Sequence, residues 1–298
     1  MSLVVNTNVA SMNAQRSLMS SSRDLQTAME RLSTGKKINS AADDAAGFAI
    51  AESMTAQVRG LSMAAKNAGD GLSMLKVVEN ATNDVTDMLQ RIRELAVQAK
   101  SGTNSATDVG NLQAEAEALM DEITRVATDT TYNGVAYLSN VDAAGVAEAE
   151  RTVSIQVGYN DGDTIAVKSY AIDTETLNLT DIDAASTGTG AAFAYKATGD
   201  GGYLNINSAT ALDTISDAID TIAGHKAEWG AGQNRLEYTI SNLMNVVEFT
   251  TAARSRIEDA DFAVEAARLA KAQVLQQTGT AMLAQANASP QLAISLLS

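Results

Sequence analysis

The sequence predicts a mainly α protein with a small β portion, in which long coiled-coil or bundle helices at the N- and C-terminal flanks enclose a middle that contains a β-hairpin. Apolar residues recur at helical spacing in the first 130 residues and again from Leu212 onward. Between these flanks, apolar and polar residues alternate in two short runs. Aromatic residues make up only 4% of the 298 residues and proline occurs once, a composition that favours long helices over a large globular core.

The first helix is predicted from one apolar stripe near the N-terminus. The stripe residues are spaced seven, four and three apart, so they share one helix face: Leu18, Leu25, Met29 and Leu32. Gly35 stands where a C-cap glycine ends a helix, because glycine readily adopts the left-handed backbone conformation. Ser40 and Asp43 are both candidates for the N-cap of the next helix.

Two further helices follow in the N-terminal flank. An alternation of four- and three-residue spacings between apolar residues runs from Ile50 to Leu75 and resumes from Val85 to Ala96, which predicts a long second helix. The small and polar residues 101–105 form the next break. We predict a third helix from about 106 to 129 after this break.

The pattern then changes to that of short strands. Asn133 and Gly134 form a dipeptide that is typical of a tight turn. Alternating apolar residues at 153–157 and 165–167, joined by the turn-rich segment 158–163, predict a β-hairpin. Residues 185–206 are small, polar and Gly-rich. The whole segment 141–206 holds ten acids and three bases, a charge density that indicates a solvated surface.

Helical periodicity returns at Leu212, and the helical run to about residue 288 contains no proline. The last charged residue is Lys271, so residues 272–298 carry no ionisable side chain. This stretch holds too many Gln, Asn, Ser and Thr residues for a membrane span, which needs about 20 mostly apolar residues. The N-terminus lacks a basic region followed by an apolar core, so no cleavable signal peptide is expected.

Charge and rare residue types exclude several functional classes. The formal net charge of −15 repels a phosphate backbone, so nucleic-acid binding is not expected. The absence of cysteine excludes disulfides and thiolate-ligated metals, and a single histidine, His225, excludes zinc motifs that need two imidazoles. The sequence therefore shows no catalytic, cofactor or metal site of these kinds.

The composition of the two ends predicts self-assembly. The terminal helices can pair as an antiparallel coiled coil, but one such pairing leaves much of each helix circumference uncovered. Charged side chains normally cover that outer face, whereas residues 1–15 and 272–298 supply none. We therefore expect both ends to fold on contact with copies of the same chain. The candidate self-assembly residues are Leu18, Leu25, Met29, Leu32, Val274, Leu275, Met282 and Leu283.

Several motifs in a fixed order resemble those of bacterial flagellins. Those in the first half are Glu30-Arg31-Leu32-Ser33-Thr34-Gly35, Ile38-Asn39-Ser40-Ala41, Asp43-Asp44-Ala45-Ala46-Gly47, Gln90-Arg91-Ile92-Arg93-Glu94-Leu95-Ala96-Val97-Gln98 and Tyr132-Asn133-Gly134. Those near the C-terminus are Ala253-Arg254-Ser255-Arg256-Ile257-Glu258-Asp259-Ala260-Asp261, Gln276-Gln277 with Gly279, and Ala284-Gln285-Ala286-Asn287. The chain is similar to a flagellin over about 1–180 and 207–298, and its short middle makes it similar to a minimal one.

The resemblance implies an organisation in layers. Residues 1–43 and 256–298 would form the terminal helices of an inner core. Residues 44–180 with 207–255 would form a helical bundle with the β-hairpin. Residues 181–206 would then form a short, variable segment that is exposed at the surface.

The resemblance also implies a function: a structural subunit that is not an enzyme and that uses no cofactor. It would be exported unfolded by the flagellar secretion apparatus and would polymerise outside the cell into the helical filament used for swimming. Implied partners are other copies of the chain, the flagellar export chaperone, and the flagellar cap and junction proteins. A hook–filament junction protein is the alternative, because such proteins share flagellin-like ends.

A receptor surface is implied as well. Flagellins that are recognised by Toll-like receptor 5 carry their main contacts at four positions, which correspond here to Gln90, Arg91, Leu95 and Glu115. Arg91 and Leu95 lie one helical turn apart, so a polar group would lie beside an apolar anchor. The same surface is also expected to pack against a neighbouring subunit, and both roles can hold because a receptor would meet the free monomer.

Overall fold

Helices form most of the structure, a computed structural model that describes residues 7–139, 150–181 and 202–295. In chain order the elements are α1 (Val9–Thr34), α2 (Ala45–Ala99), α3 (Ala106–Asp129), β1 (Thr131–Tyr132), β2 (Val135–Ala136), β3 (Glu150–Gln156), β4 (Thr164–Tyr170), β5 (Thr180–Asp181), β6 (Gly202–Tyr203), α4 (Ala211–Glu258) and α5 (Phe262–Ser295). The strands form three antiparallel two-stranded sheets. The predicted fold class, long helical flanks around a middle with a β-hairpin, is confirmed.

The chain divides into two compact units. The terminal unit comprises Met1–Arg59 and Val246–Ser298, and the central unit comprises Gly60–Asn245. Helices α2 and α4 contribute residues to both units.

Helices α1 and α5 of the terminal unit pair in antiparallel orientation. The Asn8 side chain, at the start of α1, donates a hydrogen bond of 2.6 Å to the carbonyl of Ala286, near the end of α5. At the opposite end of the pair, the Ala260 amide donates to the Gly35 carbonyl at 2.9 Å. Small side chains allow a close approach, since Ala28 and Ala272 are buried.

Helix α1 ends as the sequence predicts. Gly35 adopts the left-handed conformation with φ 71°, and its amide donates to the carbonyl of Arg31. The N-cap of α2, however, is neither Ser40 nor Asp43. The Asp44 carboxylate accepts the Gly47 amide at 3.0 Å, three residues on, while the Asp43 carboxylate is already occupied by the backbone amides of the preceding turn.

The helical run predicted from Leu212 to about residue 288 is broken once: α4 ends at Glu258 and α5 begins at Phe262, near the boundary between residues 255 and 256 that the resemblance implies. The Asp261 carboxylate accepts the amides of the first α5 residues, at 2.9 Å from Ala263 and 3.3 Å from Val264, as an N-cap does. On the other side of the break, the Lys37 amide donates to the Glu258 carbonyl at 2.7 Å. The turn after α1 therefore satisfies backbone groups that a continuous helix would have used itself.

The central unit contains one hydrophobic core. Helix α3 has the predicted bounds, and Ser105 and Asp108 form a capping box at its start. The hairpin of β3 and β4 pairs Val153 with Val167 and Ile155 with Ile165. The largest fully buried side chains of this core are Trp229, Leu75, Leu89, Ile92, Leu95, Met120, Ile123, Leu138, Ile172, Leu179, Ile206 and Ile215.

Trp229 joins helix α4 to the hairpin. Its side chain is 1% exposed, and its indole N–H donates to the Lys168 carbonyl on β4 at 2.9 Å. Trp229 therefore packs against a strand of the hairpin.

The tight turn between β1 and β2 is also confirmed, because Asn133 and Gly134 both have positive φ values, 52° and 77°. Most of the predicted variable segment 181–206 lies outside the described residues.

Candidate functional site

The terminal unit buries few apolar side chains and exposes many. Among the described residues, the only buried apolar side chains of this unit are Ala28, Ile38, Ala51 and Ala272. Thirteen of the nineteen exposed large apolar side chains of the described chain belong to it: Val9, Met12, Met19, Met29, Phe48, Ile50, Val246, Phe249, Phe262, Val264, Val274, Leu275 and Met282. Such a surface marks an interaction site rather than an ordinary solvated face.

The eight candidate self-assembly residues fall into two sets. Four are half-buried and lie on the paired faces of α1 and α5: Leu18, Leu25, Leu32 and Leu283. A Cβ at Gly279 would lie 3.3 Å from the end of the Leu18 side chain, which shows how closely the helices approach there. The other four are exposed to between 43% and 64%: Met29, Val274, Leu275 and Met282. The first set holds the pair together, and the second set is free for contacts beyond it.

An exposed apolar stripe follows one side of α5. Val264, Leu275 and Met282 are spaced eleven and seven residues apart, close to three and two helical turns, so they share one face. On α1, Met12 and Met19 are 61% and 65% exposed and lie seven residues apart. Sequence reasoning missed Val264, Met12 and Met19, although their spacing was a usable signal.

The two units differ in net charge. The terminal unit holds ten acidic and ten basic side chains, so its net charge is zero. The central unit holds 26 acidic side chains against 11 basic ones, a net charge of −15 that equals the charge of the whole chain. Copies of the terminal unit can therefore approach one another without a net repulsion.

One buried ionic group lies in the paired helices. Glu265 is 4% exposed, and its carboxylate accepts hydrogen bonds from Arg268 at 2.7 Å and from Arg31 of α1 at 3.4 Å. Removing one partner of a buried pair leaves an uncompensated charge, so this group favours a single register of α5 against α1. The residue pattern did not indicate that Glu265 is buried.

The four predicted receptor residues do not share one surface. The Arg91 guanidinium donates to Glu115 at 2.8 and 3.0 Å and to Glu94 at 3.0 Å, and these bonds, first those to Glu115, hold the pKa of Arg91 above its ordinary value. Gln90, Arg91 and Glu115 are exposed. Leu95 is 1% exposed and belongs to the hydrophobic core, so the expected apolar anchor beside Arg91 is absent from the surface.

His225 is packed rather than free. Its ring stacks on Tyr170 with 3.9 Å between the centroids, and burial lowers the pKa of His225 against the opposing effects of Glu228 and Glu150. The Tyr170 hydroxyl donates to Glu228, and burial with this bond raises the pKa of Tyr170 to about 12.

Within residues 7–139, 150–181 and 202–295, no set of three or more His, Cys, Asp or Glu side chains is placed to hold a metal. The helices described there include none with the length and hydropathy of a membrane span.

The sequence of this chain is similar to those of known proteins over nearly its whole length. The sequence profile of the bacterial flagellin N-terminal helical region matches residues 5–143, and that of the bacterial flagellin C-terminal helical region matches residues 212–297. The flagellin of Xenorhabdus nematophila is 42% identical, with both chains covered completely. The flagellar filament 33 kDa core protein of Treponema phagedenis is 38% identical, and the flagellin of Halalkalibacterium halodurans is 39% identical; each alignment covers 99% of this chain and 100% of the relative.

Proposed function

The chain belongs to the bacterial flagellin family, whose members are structural subunits of the flagellar filament and not enzymes, and from this membership we propose that it assembles with copies of itself into a helical filament used for swimming. A contact between two different surfaces of identical subunits, repeated without closure, produces such an open helix. The terminal unit supplies the surfaces for this contact.

The exposed apolar surface of the terminal unit carries the proposal. Full burial of a Val, Leu or Met side chain contributes about 1.5–3 kcal/mol relative to its exposed state. Met19, Leu275 and Met282 are 65%, 43% and 64% exposed, so roughly half of this contribution is unrealised in one copy. Neighbouring copies can bury these side chains without a net repulsion between their terminal units, because the net charge of that unit is zero.

Export and location are part of the same proposal. The subunit passes unfolded through the flagellar secretion apparatus and acts outside the cell, as a component of the filament. Two properties support this route: the chain has no cysteine that could form a crosslink, and the described terminal unit has a small core of its own, so its unfolding costs little.

Extension of short filament seeds by purified protein tests the assembly proposal. The wild-type chain should extend seeds, and Met282→Asp should stop extension because it places a charge in the contact. Met63→Asp is the matched control, since Met63 is 54% exposed on α2 of the central unit. We expect a smaller loss with the control variant. Wild-type protein that stays monomeric while a control flagellin extends the same seeds would refute self-assembly.

We also propose that the free subunit is recognised by Toll-like receptor 5 through Gln90, Arg91 and Glu115. Their exposure supports the proposal, and Leu95 contributes only by supporting the helix from the core. Arg91→Ala should reduce receptor signalling by tenfold or more (about 1.5–3 kcal/mol for a charged hydrogen bond). Arg125→Ala is the matched control, because Arg125 is likewise exposed and ion-paired, with Glu122 and Asp129. Equal signalling by both variants would dismiss the receptor surface.

A further inference from the structure

Methionine is the only sulfur-containing residue of this chain. The sequence holds 11 methionines and no cysteine, so an oxidant that reacts with sulfur meets no thiol. The methionine thioether is soft and polarizable, and it oxidises reversibly to the sulfoxide. The positions of the methionines therefore decide where such an oxidant acts on the protein.

Exposure divides the described methionines between the two units and the core. Four in the terminal unit are between 54% and 65% exposed: Met12, Met19, Met29 and Met282. The exposed methionines of the central unit are Met63 and Met244. Met74 and Met120 lie in the core of the central unit, at 3% and 0% exposure, so an oxidant in solution reaches neither sulfur without a local opening.

Helix α1 carries leucine and methionine on different sides. Its described leucines are half-buried on the face toward α5: Leu18, Leu25 and Leu32. Apart from Val9, every exposed large apolar side chain of α1 is a methionine. Met12 and Met19 lie seven residues apart, close to two helical turns, so they share one face. Leucine has a similar volume but no oxidisable atom, so the outward methionines give this surface a reactivity that the paired face lacks.

A peroxide is the class of oxidant that suits an exposed thioether. A lone pair of the sulfur attacks one peroxide oxygen, and the O–O bond breaks. The sulfur gives up an electron pair, and the proton on the transferred oxygen passes to the leaving hydroxide, which departs as water. A dithiol reverses the step: it returns an electron pair to the sulfoxide, becomes a disulfide and releases the oxygen as water.

The sulfoxide alters the contact that the proposed assembly requires. It replaces an apolar thioether with a strong S–O dipole, whose burial without a hydrogen-bond partner is unfavourable. A free copy that carries the sulfoxide therefore loses the apolar contribution of that side chain and meets a desolvation penalty as well. In a copy already placed in a filament, neighbouring copies cover the sulfur and keep it reduced.

We propose that peroxides modify the terminal unit at four methionines, and that the sulfoxides keep a free subunit from joining a filament: Met12, Met19, Met29 and Met282. The inference rests on the proposed self-assembly and adds a covalent control to it. The modification acts on the addition of subunits and not on filaments already formed. A methionine sulfoxide reductase supplied with a dithiol restores the free subunit.

Seed extension before and after treatment with hydrogen peroxide tests the proposal. The monomer is treated, freed of peroxide with catalase, and its sulfoxides are located by peptide mass spectrometry. We expect sulfoxide at the four exposed terminal methionines and none at Met74 or Met120. The critical concentration for extension should rise at least about tenfold, the factor that corresponds to the loss of one apolar side-chain contact.

Two further treatments use the same wild-type protein. Reductase with a dithiol should return the critical concentration of the treated monomer to its value before peroxide. The same dose of hydrogen peroxide, applied to extended filaments, should leave the four terminal methionines largely unmodified, because neighbouring copies cover them.

Methionine-to-leucine variants assign the effect, each measured as the ratio of its critical concentration after peroxide to its own value before. A variant with leucine at all four terminal positions should give a ratio close to one: Met12→Leu, Met19→Leu, Met29→Leu and Met282→Leu. The matched control is Met63→Leu with Met244→Leu, which removes the exposed methionines described in the central unit. This control should keep the full wild-type ratio.

The outcomes separate this inference from the proposed function. Wild-type protein that carries the four sulfoxides and extends seeds at its original critical concentration would overturn the modification proposal and leave self-assembly standing. A ratio near one in the Met63 and Met244 control, or a full wild-type ratio in the four-leucine variant, would also overturn it, because the loss would then arise elsewhere. Untreated wild-type protein that never extends seeds would overturn self-assembly and the modification proposal together. If the four-leucine variant does not extend seeds before treatment, the control ratio and the reductase still decide the question.

Discussion

The terminal and central units of this chain differ in apolar burial and in net charge. The central unit buries large side chains such as Trp229 and Leu89 and carries the whole net charge of −15, so one copy already contains both its core and its excess charge. The terminal unit is neutral, buries mainly alanine, and exposes methionine, leucine and valine. This difference indicates that the folding core and the proposed assembly surface belong to different parts of one chain, so that substitutions can change either one alone.

The largest difference between the units should appear when their apolar residues are truncated. Trp229→Ala removes a fully buried side chain and its bond to the Lys168 carbonyl, and should lower the free energy of unfolding of the monomer by about 3–5 kcal/mol. Leu25→Ala, at a half-buried terminal position, should cost less than about 2 kcal/mol in the monomer. Urea unfolding followed by circular dichroism measures both variants. Equal losses would remove the distinction between the units.

The buried ionic group should matter next, and mainly in the filament. Glu265→Ala leaves Arg31 without its buried partner, a loss of about 3 kcal/mol that corresponds to a critical concentration about a hundredfold higher. Glu30→Ala is the control, because Glu30 is an exposed acid on α1 and its loss should be small. Seed extension measures both variants, and similar values for the two would show that burial of Glu265 has no role.

Two glycines of α2 test how closely this helix packs within the central unit. A Cβ at Gly60 would lie 2.7 Å from the Cβ of Tyr159 in the hairpin turn, so Gly60→Ala should destabilise the unit by about 1–3 kcal/mol. At Gly69 a Cβ would meet nothing within 4 Å, so Gly69→Ala should stabilise the helix by up to about 1 kcal/mol. Thermal melting distinguishes them, and a stabilising Gly60→Ala would contradict the hairpin packing.

The smallest effect should be a pH dependence confined to the central unit. Burial lowers the folded-state pKa of His225 below its ordinary value of 6.5, so the unfolded chain binds the proton more readily. Stability should therefore fall as the pH drops below about 6.5. His225→Gln should flatten this part of the profile in urea unfolding, and an unchanged slope would assign it to other groups.

The helix ends and turns that depend on neighbouring residues in the chain were predicted from the sequence. Gly35 ended α1, α3 began after the break at 101–105, and the Asn133-Gly134 turn formed as expected, because each acts through its own backbone conformation or a bond to a nearby amide. The apolar spacing did not locate the break between α4 and α5, where the Ala260 amide donates to Gly35, a residue far away in the chain.

Side-chain exposure was harder to predict than helix position. Leu95 follows Arg91 by one turn, yet one faces the core and the other the solvent, and spacing alone does not decide where the core begins. Glu265 escaped for the same reason, since its burial requires the opposite helix with Arg31. The outward orientation of Met282, in contrast to the half-buried Leu283, is likewise a product of helix pairing.

Hydrogen exchange of the amides in α1 and α5, compared between dilute monomer and extended filaments, tests the central claim most directly. If the terminal unit completes its folding only against other copies, these amides should exchange rapidly in the monomer and at least about a hundredfold more slowly in the filament, while the core amides of the central unit stay protected in both. Protection of α1 and α5 in the monomer equal to that in the filament would contradict the claim.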